Sequence, residues 1–147
     1  MGNIVTNAQV EESEVVFEVV NEAPQFPEVT FTVTKYRTIQ TEQGIQSEPY
    51  TETISAGGTK GLNLYLREHI HYPSIAQENG IEGKVIVQFV IERDGSITQV
   101  NVTRGVDPSL DREAVRVVKS MPKWSPGRQK GEPVRVKFTL PVNFRLG

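Results

Sequence analysis

The chain has 147 residues, a formal net charge of −2 and no cysteine. This length suits one domain of ordinary size, and the lack of cysteine excludes disulfides, thiol catalysis and cysteine-ligated zinc. Charges of both signs are interspersed without a basic stripe, which argues against nucleic acid as a partner. No apolar run reaches the ~18 residues of a membrane span, and the first residues lack a signal-peptide pattern. We therefore expect either a cytosolic protein or a soluble piece of a longer one.

The N-terminal part of the sequence is polar and then β-rich. Residues 1–14 predict a flexible N-terminus, and residues 15–56 predict a β-rich extension. Val15 to Val20 is a short apolar run, typical of a strand. Pro24 and Pro27 end it, because each lacks an amide hydrogen and favours an extended path.

A hairpin is predicted within this extension. Apolar residues alternate with threonines from Val29 to Ile39, residues 41–44 have turn character, and a second strand runs from Ile45 to Ile54. Pro49 places that second strand at a sheet edge. The polar, threonine-rich face allows two arrangements: the hairpin extends the main sheet, or it stands off as a separate contact surface.

Helical and β patterns alternate after Gly57-Gly58. Apolar spacing predicts an amphipathic helix over Lys60–Ile70, and a short helix over Ser74–Glu78 follows. Strands over Lys84–Glu92 and Ile97–Arg104 flank Asp94-Gly95, which is a strong hairpin signal. Asp107 and Pro108 predict the N-cap and first residue of a helix that Pro122 ends.

The last strand carries the clearest pattern. Every second residue from Val134 to Leu146 is apolar. One face of this strand is therefore expected to pack on a core and the other to face solvent. Pro141 indicates that part of one flank is a sheet edge, where another chain can add a strand. Arg128 to Lys130 is predicted as a surface turn before it. Arg135 and Lys137 leave a second interpretation, in which they protect a closed edge.

These elements predict an α+β fold in two layers. A three-stranded antiparallel sheet carries two main helices on one face over residues 57–147, with the N-terminal β-rich extension and hairpin added. Catalytic chemistry is not indicated. His69 and His71 lie two residues apart, but the chain has neither a cysteine nor a third histidine to join them in a zinc site. Trp124 is predicted as a core anchor at a helix exit.

Several anchors in order resemble the C-terminal domain of the TonB family of the Gram-negative envelope, in versions typical of Bacteroidetes. They cover about Gly57 to Leu146 and comprise Tyr72-Pro73, Ala76, Gly80 to Gly83, Asp94-Gly95, Leu110-Asp111, Glu113-Ala114, Trp124, Pro126-Gly127 and the last strand. The sequence departs from the family where residues 28–56 intervene before Gly57.

The resemblance implies a non-enzymatic periplasmic domain without cofactor or metal. Such a domain binds the TonB box of outer-membrane TonB-dependent receptors by β-strand addition and transmits force for nutrient uptake. An inner-membrane anchor outside this chain would couple it to a proton-channel complex of the ExbB/ExbD type, and exchange of C-terminal strands would allow a homodimer. The alternative is a periplasmic sensor or interaction domain of a membrane signalling protein.

The resemblance also implies a partner site. The receptor strand would lie beside the last strand, and Tyr72 and Pro73 would position the contact. The predicted partner-binding residues are Tyr72, Pro73, Val134, Arg135, Val136, Lys137, Phe138, Thr139 and Leu140.

Overall fold

A computed structural model describes residues 15–147. The flexible tail predicted for residues 1–14 lies outside the described residues. The elements in chain order are β1 (Val16–Phe17), β2 (Val29–Thr41), β3 (Gly44–Ala56), α1 (Gly58–His69), α2 (Ser74–Glu78), β4 (Gly83–Ile91), β5 (Ile97–Arg104), α3 (Pro108–Lys119), β6 (Gly127–Gln129) and β7 (Glu132–Phe144).

The main sheet has β7 and β4 at its centre. Its order is β1-β7-β4-β5, and β6 also pairs with β7. β4 and β7 run antiparallel from the pair Gly83–Phe144 to the pair Ile91–Val136, and β4 and β5 form the hairpin predicted at Asp94-Gly95. The α+β class is confirmed, and the predicted three strands are β5, β4 and β7.

The prediction of only three strands is corrected to five. β1 adds in parallel and β6 adds antiparallel, both to β7. The surface turn predicted at residues 128–130 is mostly β6, which forms a tight hairpin with β7. The strand predicted from Val15 to Val20 shrinks to the two residues of β1. Both differences arise because pairing with β7, rather than local pattern, defines these short strands.

The helix ends follow local chemistry. The Asp107 carboxylate accepts a hydrogen bond from the Ser109 amide at 3.0 Å, and Pro108 begins α3, as predicted. At the other end of α3, the Ser120 carbonyl accepts a hydrogen bond from the Tyr65 hydroxyl at 2.8 Å. This bond joins α1 to α3, so the two helices are held together by a buried tyrosine.

Trp124 is the predicted core anchor, and the structure confirms it. The residue is 4% exposed, and its ring lies 5.0 Å from Phe138, 5.6 Å from Phe26 and 5.9 Å from Phe89, measured between centroids. These partners come from β7, the N-terminal extension and β4. Phe26 thereby ties residues before β2 to the same core as the main sheet.

The inserted hairpin forms a separate two-stranded sheet. β2 and β3 pair from Val29–Ala56 to Thr41–Gly44 without a break. Phe31 and Val33 are buried in the common core at its base, whereas most of its outer residues are exposed. Of the two arrangements that the sequence left open, the hairpin therefore stands off from the main sheet. We call it the arm.

Candidate functional site

One flank of β7 is partly open. β4 covers the inner flank from Val136 to Phe144. Val136 also pairs with Phe17 of β1, so β1 must lie on the opposite flank, which we call the outer flank. From Lys137 to Phe144, no strand among residues 15–147 pairs with the outer flank. The backbone groups that point outward there are available to an added strand.

The predicted edge residues fall into two groups. Val134 pairs with Gly127 of β6, and Arg135 and Val136 pair with β1. The remaining four predicted residues lie in the open run, which continues past them to Phe144: Lys137, Phe138, Thr139 and Leu140. The open part of the predicted edge therefore starts at Lys137, because β6 and β1 already pair with the residues before it.

The two faces of β7 differ as the alternation predicts. Leu140 is buried in the core, and Phe138 packs on Phe89 and Trp124. Lys137 and Pro141 are exposed on the other face. Proline lacks an amide hydrogen and is tolerated where a strand has an unpaired flank, which is the situation of Pro141.

A groove of about 380 Å³ adjoins the open run. α1 and the segment after it form one wall, and the end of β7 forms the other. Its lining residues are Asn63, Leu66, Arg67, Ile70, Tyr72, Pro141, Val142, Asn143, Phe144 and Arg145. No residue of β4 lines it, so the groove opens on the outer flank. Two arginines and no acidic residue lie in the lining, which favours a partner with negative charge.

Tyr72 forms part of the groove wall. Its hydroxyl donates a hydrogen bond to the Ile81 carbonyl, and its ring meets Phe144 edge-on at 5.7 Å. Burial, with a smaller contribution from Glu82, raises the pKa of Tyr72 above its ordinary value. Tyr72 thus contacts the end of β7 at Phe144.

Pro73 has a local role. It is the N-cap residue of α2, and its carbonyl accepts a hydrogen bond from the Gln77 amide at 3.0 Å. It therefore fixes the turn that follows Tyr72 and does not itself line the groove.

A hydrogen-bonded clamp holds the segment between α1 and α2, and the sequence reasoning missed it. The Glu113 carboxylate accepts a hydrogen bond from the His71 amide at 2.7 Å. Arg116 donates to the His69 carbonyl and to Glu113, each at 2.7 Å. Partial burial would raise the pKa of Glu113, but the hydrogen bonds from Arg116 and His71 outweigh it and lower the pKa. The clamp thus holds the backbone just before Tyr72, whose ring packs on Phe144 of β7.

Arg135 is held on the sheet face. Its Nε donates to Glu92 at 2.7 Å, and both side chains are mostly buried. The hydrogen bond from Arg135 lowers the pKa of Glu92, with a smaller contribution from Thr98. Arg135 is therefore tied to Glu92 on the sheet face, whereas Lys137 is exposed.

Residues 15–147 show neither a metal site nor a membrane-spanning helix. In that range, no group of three or more His, Asp or Glu side chains is arranged to hold a metal ion. The described helices are all too short or too polar to cross a membrane.

Curated proteins resemble the chain over much of its length. Protein TonB of Helicobacter pylori strain J99 is 30% identical over 110 residues, which cover 73% of this chain and 38% of that protein. Protein TonB of Vibrio cholerae serotype O1 is 33% identical over 76 residues, which cover 51% of this chain and 31% of that protein. The chain thus spans less than half the length of these relatives.

A solved structure and a family model also match. The NMR solution structure of a Helicobacter pylori TonB C-terminal domain has 28% identity and a TM-score of 0.47, covering 58% of this chain and 78% of that one. The model of the Gram-negative bacterial TonB protein C-terminal family matches residues 68–146, which include β4, β5, α3 and β7. Since this match covers more than half of the sequence, the chain belongs to the TonB C-terminal family.

Proposed function

We propose that this chain is the periplasmic domain of a TonB-type energy transducer and binds a receptor peptide as an added strand. The partner is the TonB box of an outer-membrane TonB-dependent receptor. The observation that carries the proposal is the open outer flank of β7 from Lys137 to Phe144, with the groove beside it. Membership of the TonB C-terminal family supports a non-enzymatic domain that works by contact rather than catalysis.

Strand addition suits a contact that must carry load. Each backbone hydrogen bond contributes a net ~0.5–1.5 kcal/mol and makes little demand on the partner's sequence. Bonds along the open run are loaded together when the partner is pulled along the strand direction. The contact can therefore resist tension and still release when the load is removed.

The rest of the transducer would lie outside these 147 residues. An inner-membrane anchor and a proton-channel complex of the ExbB/ExbD type would supply the force. The relatives described above are named Protein TonB, which favours the transducer over a signalling sensor.

The positive charge of the groove provides a test of the proposed peptide binding. Arg67 lies in the groove and is exposed, whereas Lys60 is exposed on the same helix outside the lining. Arg67→Glu should weaken binding of an acidic receptor peptide by about threefold to tenfold, because an exposed ion pair is lost and repulsion replaces it. Lys60→Glu is the matched control and should leave affinity within twofold of the wild type, a difference of about 0.4 kcal/mol.

The measurement is fluorescence anisotropy of labelled synthetic peptides that copy N-terminal segments of outer-membrane receptors. Equal affinities for the wild type and both variants would place the peptide away from the groove. Failure of every receptor peptide to bind the folded wild type would overturn the proposed function.

A further inference from the structure

The outer flank of β7 is shared with a segment of the chain itself. Val16 lies opposite Arg135, and Phe17 lies opposite Val136, in parallel register. The open run starts at the next residue, Lys137. An incoming strand on the open run therefore meets the end of β1 as soon as it extends toward Arg135.

β1 is held by few contacts. It has two residues, and the chain bends away after Phe17. Glu18 pairs with Lys137 at 3.8 Å, but the Glu18 side chain is 74% exposed and the pair is screened by solvent. Val19 is 85% exposed. The chain also keeps β1 close to β7, and this raises its effective concentration, so that a short pairing can persist.

The next attachment of the chain is independent of β1. The Asn21 side chain accepts a hydrogen bond from the Lys130 amide at 2.9 Å. Glu22 and Arg128 exchange two backbone hydrogen bonds of 3.0 and 2.9 Å. These contacts anchor the segment to the β6–β7 hairpin, so β1 can detach while the rest of the extension stays bound.

We propose that β1 is an internal competitor, which occupies part of the outer flank of β7 that a partner strand would use. It occupies the outer flank at Arg135 and Val136, and a partner strand longer than the open run must displace it. β1 thereby limits both the length of strand that binds and its affinity. This inference rests on the proposed function, in which the same flank receives the receptor peptide.

The test uses the full chain and a labelled peptide with the chain's own sequence from residue 13 to residue 20. A double variant, Val16→Gly with Phe17→Gly, removes the two side chains of β1, neither of which belongs to the core. Val19→Gly is the matched control from the same segment. The double variant should bind the peptide at least threefold more tightly than the wild type. The control should match the wild type.

Amide NMR of the double variant locates the peptide. Shifts centred on Arg135 to Lys137 are expected. Three outcomes would contradict the proposal that β1 is an internal competitor. They are equal affinity for the wild type and the double variant, shifts elsewhere, and no binding to either form.

A receptor peptide separates this inference from the proposed function. Suppose that the receptor peptide binds the wild type and the double variant equally and shifts the amide signals of Arg135 and Val136. Only the proposal that β1 competes is then contradicted. If the receptor peptide binds neither form while the residue 13–20 peptide binds the double variant, the competition for the flank stands and the receptor function fails.

Discussion

Gly95, in the turn between β4 and β5, is a position where no larger residue fits. It has φ +88°, and a Cβ added there would lie 1.9 Å from the Trp124 carbonyl oxygen. The Trp124 amide also donates to the Gly95 carbonyl at 2.8 Å. The hairpin tip therefore packs directly on the backbone of the core tryptophan, and no side chain fits between them.

This close approach predicts a large cost for Gly95→Ala. Gly131→Ala is the control, because Gly131 has φ +80° with nothing within 4 Å of an added Cβ. The control should lose about 1–2 kcal/mol of unfolding free energy from backbone strain alone. Gly95→Ala should lose at least about 2 kcal/mol more, because the Trp124 backbone must also move. Urea denaturation of both variants measures the difference, and equal losses would contradict the packing described.

The pair of Glu92 and Arg135 predicts a pH dependence of stability. The folded protein lowers the pKa of Glu92 below its ordinary value of 4.5, chiefly through the hydrogen bond from Arg135. Folding therefore favours the ionised carboxylate. Its contribution is complete above the unfolded pKa and is lost as the pH falls through the folded pKa.

Denaturation of the wild type and Glu92→Gln from about pH 6 to about pH 3 isolates this contribution from other carboxylates. The stability advantage of the wild type should shrink once the pH falls below the ordinary range of a glutamate. An advantage that stays constant over the whole range would show that Glu92 is not stabilised in its ionised form.

At the scale of elements, long patterned segments could be predicted and short ones could not. β7 follows from uninterrupted alternation, and α3 follows from Asp107 and Pro108 at its start. β6 has three residues, too few for alternation to show. The turn between β6 and β7 consists of Lys130 and Gly131. Both have positive φ, as a tight two-residue hairpin requires.

The candidate site was predictable to a similar degree. Alternation and Pro141 indicate an edge on the last strand, and the structure has one. Its extent was not predictable, because β1 reaches Arg135 and Val136 from the far end of the chain. The groove and the clamp of Glu113 and Arg116 also join residues distant in sequence, so local patterns carry no sign of them.

The arm gives a prediction at the same scale. Its base buries Phe31, Val33 and Ala56 in the common core, and its outer part is largely exposed. Replacing residues 28–56 by a short Gly-Ser linker should cost several kcal/mol, since each buried Phe or Val contributes about 1.5–3 kcal/mol. Replacing only residues 36–49 by Asn-Gly keeps the base and should change the unfolding free energy by less than about 1 kcal/mol.

Thermal and urea denaturation of the two shortened proteins distinguish the base from the outer part. Equal stability of the wild type and the protein lacking residues 28–56 would mean that the arm contributes nothing to the core. Receptor-peptide affinity should be unchanged in the protein that lacks only residues 36–49, because β2 and β3 pair only with each other and not with β7.

At the scale of the whole molecule, β7 supplies both a face of the core and an open edge of the sheet. The apolar face of β7 packs on Trp124 and its neighbours, and the opposite face is exposed. The inner flank is fixed by β4, while the outer flank is divided between β1 and the open run. A strand that adds there would be held by an element that the whole core immobilises, which suits the transmission of force.

Amide NMR of the labelled chain during titration with receptor-derived peptides tests this account most directly. Strand addition predicts chemical-shift changes and slowed amide exchange centred on Lys137 to Phe144, with further shifts in the groove wall from Leu66 to Tyr72. Binding that leaves these amides unchanged, or a well-folded protein that binds no receptor peptide, would contradict the proposal that β7 receives the partner strand.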